Sequence, residues 1–170
     1  LEHVVLCRET GGVFEEIARM RSIKDEQELN AIESACALSD SITALLEKNI
    51  GSGKIKTEID AALFIERTIR ETGADGTGFE TLAAGSSRSF AIHPVPAYTH
   101  ARIGTDGLSI IDFGVMVDGY TSDTTLTIVA GTLDAAQEKM VTLVEKAYNT
   151  ALALYTPGTK TRDAALAADA

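Results

Sequence analysis

Asp112 and Asp123 offer the clearest chemistry in this sequence. Asp112 lies in LSIIDFG, among large apolar residues, and Asp123 lies in GYTSDTTLT. A buried strand ordinarily rejects a carboxylate, because an unpaired charge away from water is costly. Between the two, Asp118-Gly119 separates two β-rich runs, the strongest short-range hairpin signal a sequence carries. With Asp118-Gly119 as a two-residue turn, Val117 pairs with Tyr120, Asp112 faces Thr125 and Asp123 faces Gly114. Strand side chains two apart share a face. Both carboxylates therefore project from one face as diagonal neighbours, with Cα atoms about 7–8 Å apart. Two ionised carboxylates held that close either take up a proton or hold a cation between them. Hard divalent cations favour such oxygen ligands. The spacing alone also admits a simpler pair, one Asp at the turn and one on a solvated strand face.

The elements that position this hairpin can be read from period and punctuation. Residues 4–8 (VVLCR) read as a strand, Gly11-Gly12 as a turn and VFEEIARM as a connecting segment. Ser22 to Glu28 reads as a helix start, with Ser22 able to cap and acids in the first turn. Leu29, Ile32, Cys36, Ile42, Leu45 and Leu46 then recur at roughly helical spacing until Gly51-Ser52-Gly53. A second helix opens at Thr57-Glu58-Ile59-Asp60, carries Ile59, Leu63, Ile65 and Ile69, and stops at Gly73. A Gly-, Ser- and Thr-rich stretch follows. It holds one strand candidate, Phe79 to Ala84, and two prolines, Pro94 and Pro96, that force an irregular path. Loops of this kind often line sites. After the hairpin, Leu133 to Tyr155 is helical, and Thr161-Arg162-Asp163 begins another helix. TAL at 43–45 recurs at 150–152 and DAAL at 60–63 recurs at 163–166, as in a duplicated helix–turn–helix unit.

Composition narrows the function classes. The chain has 170 residues, one domain's worth at about 100–200 residues per domain. Its 15 Lys and Arg against 25 Asp and Glu leave a net charge of −10. That balance argues against a nucleic-acid partner, which calls for a basic face. No apolar run approaches the ~20 residues of a membrane helix. The opening LEHVVLCRET lacks the basic start and apolar stretch of a signal peptide. Cys7 and Cys36 read as reduced, buried thiols, and together these features point to the cytoplasm. The chain starts at Leu1 and stops at Ala170 within a helical pattern, as a piece of a longer protein would.

The string IIDFGVMVDGYTSDTTLTIVAG closely resembles a segment of the pita-bread metallopeptidases: methionine aminopeptidase, Xaa-Pro aminopeptidase and prolidase, with creatinase sharing the fold. The family pattern is filled by Asp112, Gly114, Gly119-Tyr120, Ser122-Asp123, Thr125 and Thr127. RSIKDEQELNAIESA resembles the helix entry of the Xaa-Pro branch, and TPGTKTRDAALAA resembles the start of the family's second repeat. The resemblance implies an α/β (α+β) pita-bread fold, its first half followed by a truncated second repeat. Residues 1–20 would end a preceding N-terminal domain and linker. Residues 21–170 would form the N-terminal portion of the catalytic domain. Asp112 would chelate one divalent metal ion and Asp123 would bridge two (Mn, Co, Zn or Fe). Water activated by the metals would release an N-terminal residue from a peptide substrate, before proline. The remaining ligands, a His and two Glu, would lie beyond Ala170, so the chain alone is expected to be inactive. The family is often homodimeric. The alternative on the same fold is a non-catalytic peptide- or protein-binding module.

The resemblance also assigns a catalytic role to His93, in FAIHPVP, assisting at the substrate carbonyl; His100 competes for it. The passage from Phe79 to Gly85 resembles the one that lines the substrate cavity, while Tyr98 and Tyr120 read as packing residues. Leu126 departs from the pattern, standing where many Xaa-Pro members carry Arg between two threonines. Two rival motifs fail. IDFG without a Gly-rich loop, strand lysine and HRD loop upstream is not a kinase signature. GSGK at 51–54 lacks the first Gly and the Ser/Thr of a phosphate loop.

Overall fold

The computed structural model describes residues 12–170. The strand expected at 4–8, and Cys7 with it, lie outside them. The first described element corrects the sequence reading. Residues expected as a connecting segment form helix α1 (Val13–Ser22), with Val13, Phe14, Ile17 and Met20 all exposed and none of its residues buried. Ser22 ends this helix, its hydroxyl donating to the Arg19 carbonyl at 2.7 Å, and does not start the next one. Asp25 does. Its carboxylate accepts from the Glu28 amide at 2.9 Å, and the Glu28 carboxylate accepts from the Asp25 amide at 2.7 Å. This full capping box opens α2 (Glu26–Gly51).

The face α2 buries is Ala31, Ala35, Ser39, Ile42 and Leu46. Leu29, Leu45 and Cys36, expected in the core, are exposed. The period was legible and the phase only in part. Ile42 and Leu46 are buried as their spacing implies, but toward the start of the helix the buried stripe runs through Ala31, Ala35 and Ser39 and not through Leu29 or Cys36. The same holds for α3 (Glu58–Glu71). Its Thr57/Asp60 capping box follows expectation, yet Ala61, Ala62, Ile65 and Ile69 are buried while Leu63 is exposed.

Six short strands follow: β1 (Gly76–Thr77), β2 (Leu82–Ala84), β3 (Gly107–Phe113), β4 (Val115–Val117), β5 (Tyr120–Thr121) and β6 (Thr124–Ala130). The strand expected from Phe79 begins only at Leu82. They form two antiparallel sheets, ordered β1-β4-β5 and β2-β3-β6. One hairpin runs through both. Val117 pairs with Tyr120, Asp112 with Thr125 and Leu108 with Val129, the register set by a two-residue turn. At that turn Asp118 has φ 50° and Gly119 φ 78°, the paired positive values of a type I′ turn.

The ladder is interrupted at Gly114. A Cβ there would stand 2.4 Å from the Ser122 carbonyl oxygen and 2.7 Å from the Phe79 ring, so the arms pass at a distance only glycine allows. Ser122 stitches the break. Its hydroxyl accepts from the Val115 amide at 3.0 Å and shares a 2.6 Å hydrogen bond with Ser39 of α2.

One sheet face packs on the helices. Ile111, Phe113 and Val115 join Ile42, Leu46, Ile65 and Ile69 in a single cluster. Full burial of such side chains stabilises the fold by about 1.5–3 kcal/mol each. The other face carries Leu108, Ile110 and Asp112 opposite Val129, Thr127 and Thr125. Beside it lies α4 (Ala135–Leu152), opened by an Asp134/Gln137 capping box and burying none of its residues. A hollow of about 790 Å³ separates its Met140, Val144 and Tyr148 from Leu108 and Val129. Helix α5 (Thr161–Ala168) buries only Ala164. The two DAAL segments thus occupy like positions: Ala61 and Ala164 are buried, and Leu63 and Leu166 are exposed. Among the described residues, no helix is long and apolar enough to cross a membrane.

Candidate metal centre

Asp112 projects from β3 on the face away from the helices, as the alternation of burial along the strand requires. Its neighbours fix its electrostatics. Burial pushes its carboxyl pKa above the usual carboxylate range; the Thr125 hydroxyl opposes this, the charge of Asp123 adds to it, and His93 partly offsets it. Among the described residues, the Oδ1 atom of Asp112 is buried without a hydrogen-bond partner. A buried acceptor left in that state costs about 1–3 kcal/mol, more when charged. Asp123, on the opposite arm, is exposed. It lies just outside β6, two residues before Thr125, the partner of Asp112, and is near enough for its charge to act on the Asp112 carboxyl.

His93 reaches the same place from the loop between β2 and β3. A cleft of about 480 Å³ is lined by His93 and Asp112 together with Phe79, Glu80, Leu82, Pro94 and Pro96. His100 does not share it; it lies beside Asp60 at the start of α3. The two tyrosines also separate from the cleft. Tyr98 packs against the hydrophobic cluster, and the Tyr120 hydroxyl donates to the Glu28 carboxylate, tying β5 to the first turn of α2. Leu126 faces the helices and packs on the core. The departure at this position therefore lies on the sheet face opposite Asp112.

The donor set suits a hard divalent cation in kind: two nearby carboxylates, one with a buried oxygen that has no partner among the described residues. It is short in number. Among the described residues, no group of three or more His, Cys, Asp or Glu side chains could hold a metal ion. What these residues supply together is acceptors for a cation and an imidazole beside a small cleft of mixed polarity.

Residues the sequence reading passed over complete the surroundings. Glu58 is fully buried, and its carboxylate is met by Gly85, Arg88 and Thr99 at the two ends of the His93 loop.

The metallopeptidase family M24 model matches residues 30–170. The Xaa-Pro dipeptidase of Pyrococcus horikoshii is 33% identical over 142 residues, 84% of this chain and 39% of that protein. That of Pyrococcus furiosus is 32% identical over 142 residues, 84% of this chain and 40% of that protein. In three dimensions, the prolidase of Pyrococcus horikoshii OT3 superposes with a TM-score of 0.81 and 30% identity, covering 92% of this chain and 44% of that one. Escherichia coli aminopeptidase P, at 23% identity, shares the fold with a TM-score of 0.75 over 89% of this chain and 34% of that one. The chain belongs to metallopeptidase family M24 and has the pita-bread fold of prolidase and aminopeptidase P. It matches the N-terminal half of their catalytic domain and spans about two-fifths of the length of these dipeptidases. Peptidases of this family use divalent metals.

Proposed function

We propose that this chain provides the Asp-bearing part of a metal-dependent peptidase that releases an N-terminal residue lying before proline. Residues 21–170 are the N-terminal portion of its catalytic domain. Asp112 and Asp123 would hold the divalent metal ions (Mn, Co, Zn or Fe). When bound, the metals lower the pKa of the attacking water and polarise the scissile carbonyl. The chain's own residues do the rest. Asp112 and Asp123 supply negative charge from a rigid hairpin. His93, across the cleft from Asp112, donates a hydrogen bond toward the substrate carbonyl. Leu82, Pro94 and Pro96 offer an apolar wall to a small side chain or prolyl ring.

The observation that carries this reading is the buried Oδ1 of Asp112, without a partner among the described residues, close to the charge of Asp123 and with His93 lining the same cleft. Relatives named Xaa-Pro dipeptidase support the choice of substrate. The family habit supports a homodimer, and the reduced-thiol composition a cytoplasmic setting.

The test is hydrolysis of an X-Pro dipeptide by the intact protein before and after chelation, with Asp112→Asn and Asp123→Asn alongside. Metal-dependent turnover lost in both variants is expected. Peptide binding without turnover would favour the non-catalytic binding module.

A further inference from the structure

The loop that carries His93 is long and largely irregular. From Gly85 to Arg102 it contains only one short 3-10 turn, Ser89–Ala91. Ordering such a segment opposes its entropy at each residue, so something outside it must hold it. Glu58, the first residue of α3, is placed to do so. Its side chain has 0% exposure. The Gly85 amide donates to its Oε1 at 2.7 Å. The Thr99 amide and hydroxyl donate to its Oε2 at 2.7 and 2.6 Å. Arg88 donates to the same oxygen and forms the ion pair, while its other terminal nitrogen donates to the Pro96 carbonyl. The clamp extends through the backbone, with the Glu58 amide on the Ala101 carbonyl at 2.9 Å and the Ile59 amide on that of Thr99 at 3.0 Å.

His93 sits between the two halves of this clamp. Gly85 and Arg88 precede it, Pro96 and Thr99 follow it, and all four are tied to Glu58 directly or through Arg88. We propose that Glu58 is a positioning residue that, through Arg88 and Thr99, fixes the 85–102 loop and holds His93 against Asp112 in the cleft. This rests on the peptidase reading of that cleft for its consequence in catalysis, and on the hydrogen bonds alone for its consequence in order. A bolt serving only the fold would leave the folded protein's turnover untouched. A bolt that aims His93 would lower kcat through that histidine.

The experiment uses the intact protein with Glu58→Gln, which keeps the shape and loses the charge, and Arg88→Ala, which is partly exposed and spares the buried carboxylate. Hydrogen exchange is read at residues 86–98 against β3 and β6. The expected result is at least about tenfold faster exchange in the loop with the strands unchanged; loop exchange equal to wild type would overturn the proposal. Kinetics on an X-Pro dipeptide supply the second arm. Glu58→Gln should lower kcat about 10- to 100-fold with KM nearly constant, since misplacement of about 1 Å carries losses of that size. In a His93→Ala background the same change should cost less than about twofold, because residues acting through one another are not additive. An equal loss in both backgrounds would overturn the proposal. If Glu58→Gln does not fold, Arg88→Ala carries both readouts with the same outcomes. An intact wild-type protein without X-Pro turnover would overturn the peptidase reading, and the exchange arm would then decide the role of Glu58 alone.

Discussion

Asp112→Asn should stabilise the metal-free protein while abolishing its response to metal. The variant keeps the shape of the side chain and removes its charge. In the fold, burial and the charge of Asp123 raise the Asp112 carboxyl, and its Oδ1 lacks a partner among the described residues. A carboxyl whose folded pKa lies above its unfolded value favours folding at low pH, below the unfolded value of about 3.9. That contribution is lost as pH rises through the folded value, so at pH 7 the ionised group opposes folding. A buried unsatisfied group costs about 1–3 kcal/mol. Asparagine still buries a polar group, and Asp112 is only half-buried, so solvent screens part of the cost and leaves a net gain of at most about 1 kcal/mol. For a domain of this size that is a melting temperature higher by at most about 2–4 °C. The gain should vanish near pH 3, where both side chains are neutral. Saturating divalent metal reverses the order. Binding at 100 times Kd stabilises the wild type by about 2.7 kcal/mol and the variant by little. Circular dichroism melts in chelator and in metal, at both pH values, measure all of this. A variant that melts below wild type in chelator at pH 7, or that gains as much from metal, would refute the reasoning.

Two further outcomes follow from packing and charge. Gly114→Ala must part the hairpin arms by pushing on the Ser122 carbonyl and Phe79, so a loss of about 1–3 kcal/mol and a fall in turnover are expected; a melt and a kcat unchanged from wild type would contradict the close approach. Glu58 has the opposite sign to Asp112. Burial alone would raise its pKa, but the hydrogen bonds from Thr99 and Gly85 and the charge of Arg88 outweigh it and hold the carboxyl below the usual range. Its stabilisation is therefore present above the unfolded carboxylate value of about 4.3 and is lost as pH falls through the folded one. The acid limb of a urea-midpoint profile should be shallower in Glu58→Gln than in wild type.

The hairpin was legible because its signals were local and mutually consistent. The Asp118-Gly119 turn fixed the register, which pairs Asp112 with Thr125. The helices at 26–51, 58–71, 135–152 and 161–168 were legible for the same reason; the one at 13–22, read as a connecting segment, was not. Helix phase was legible only in part: Ile42, Leu46, Ile65 and Ile69 are buried as their spacing implies, but so are Ala31, Ala35 and Ala61, while Leu29 and Leu63 face outward. Ser22 and Asp25 were confused because both can cap, and only the reciprocal bond from Glu28 distinguishes them. The Glu58 clamp was invisible for a different reason. Its partners, Gly85, Arg88 and Thr99, lie 27 to 41 positions away in an irregular loop, and no periodicity links them. Resemblance singled out His93; the cleft it shares with Asp112 shows where it stands, and His100 stands elsewhere.

The central claim is that Asp112 and Asp123 hold divalent metal from one face of one hairpin. The most direct measurement is an anomalous difference map from crystals of the intact protein equilibrated with zinc. The expected result is two peaks, both within about 2.0–2.2 Å of Asp123 oxygens and one at that distance from Asp112. Zinc bound elsewhere, with the Asp112 and Asp123 carboxylates contacting only protein and water, would contradict it.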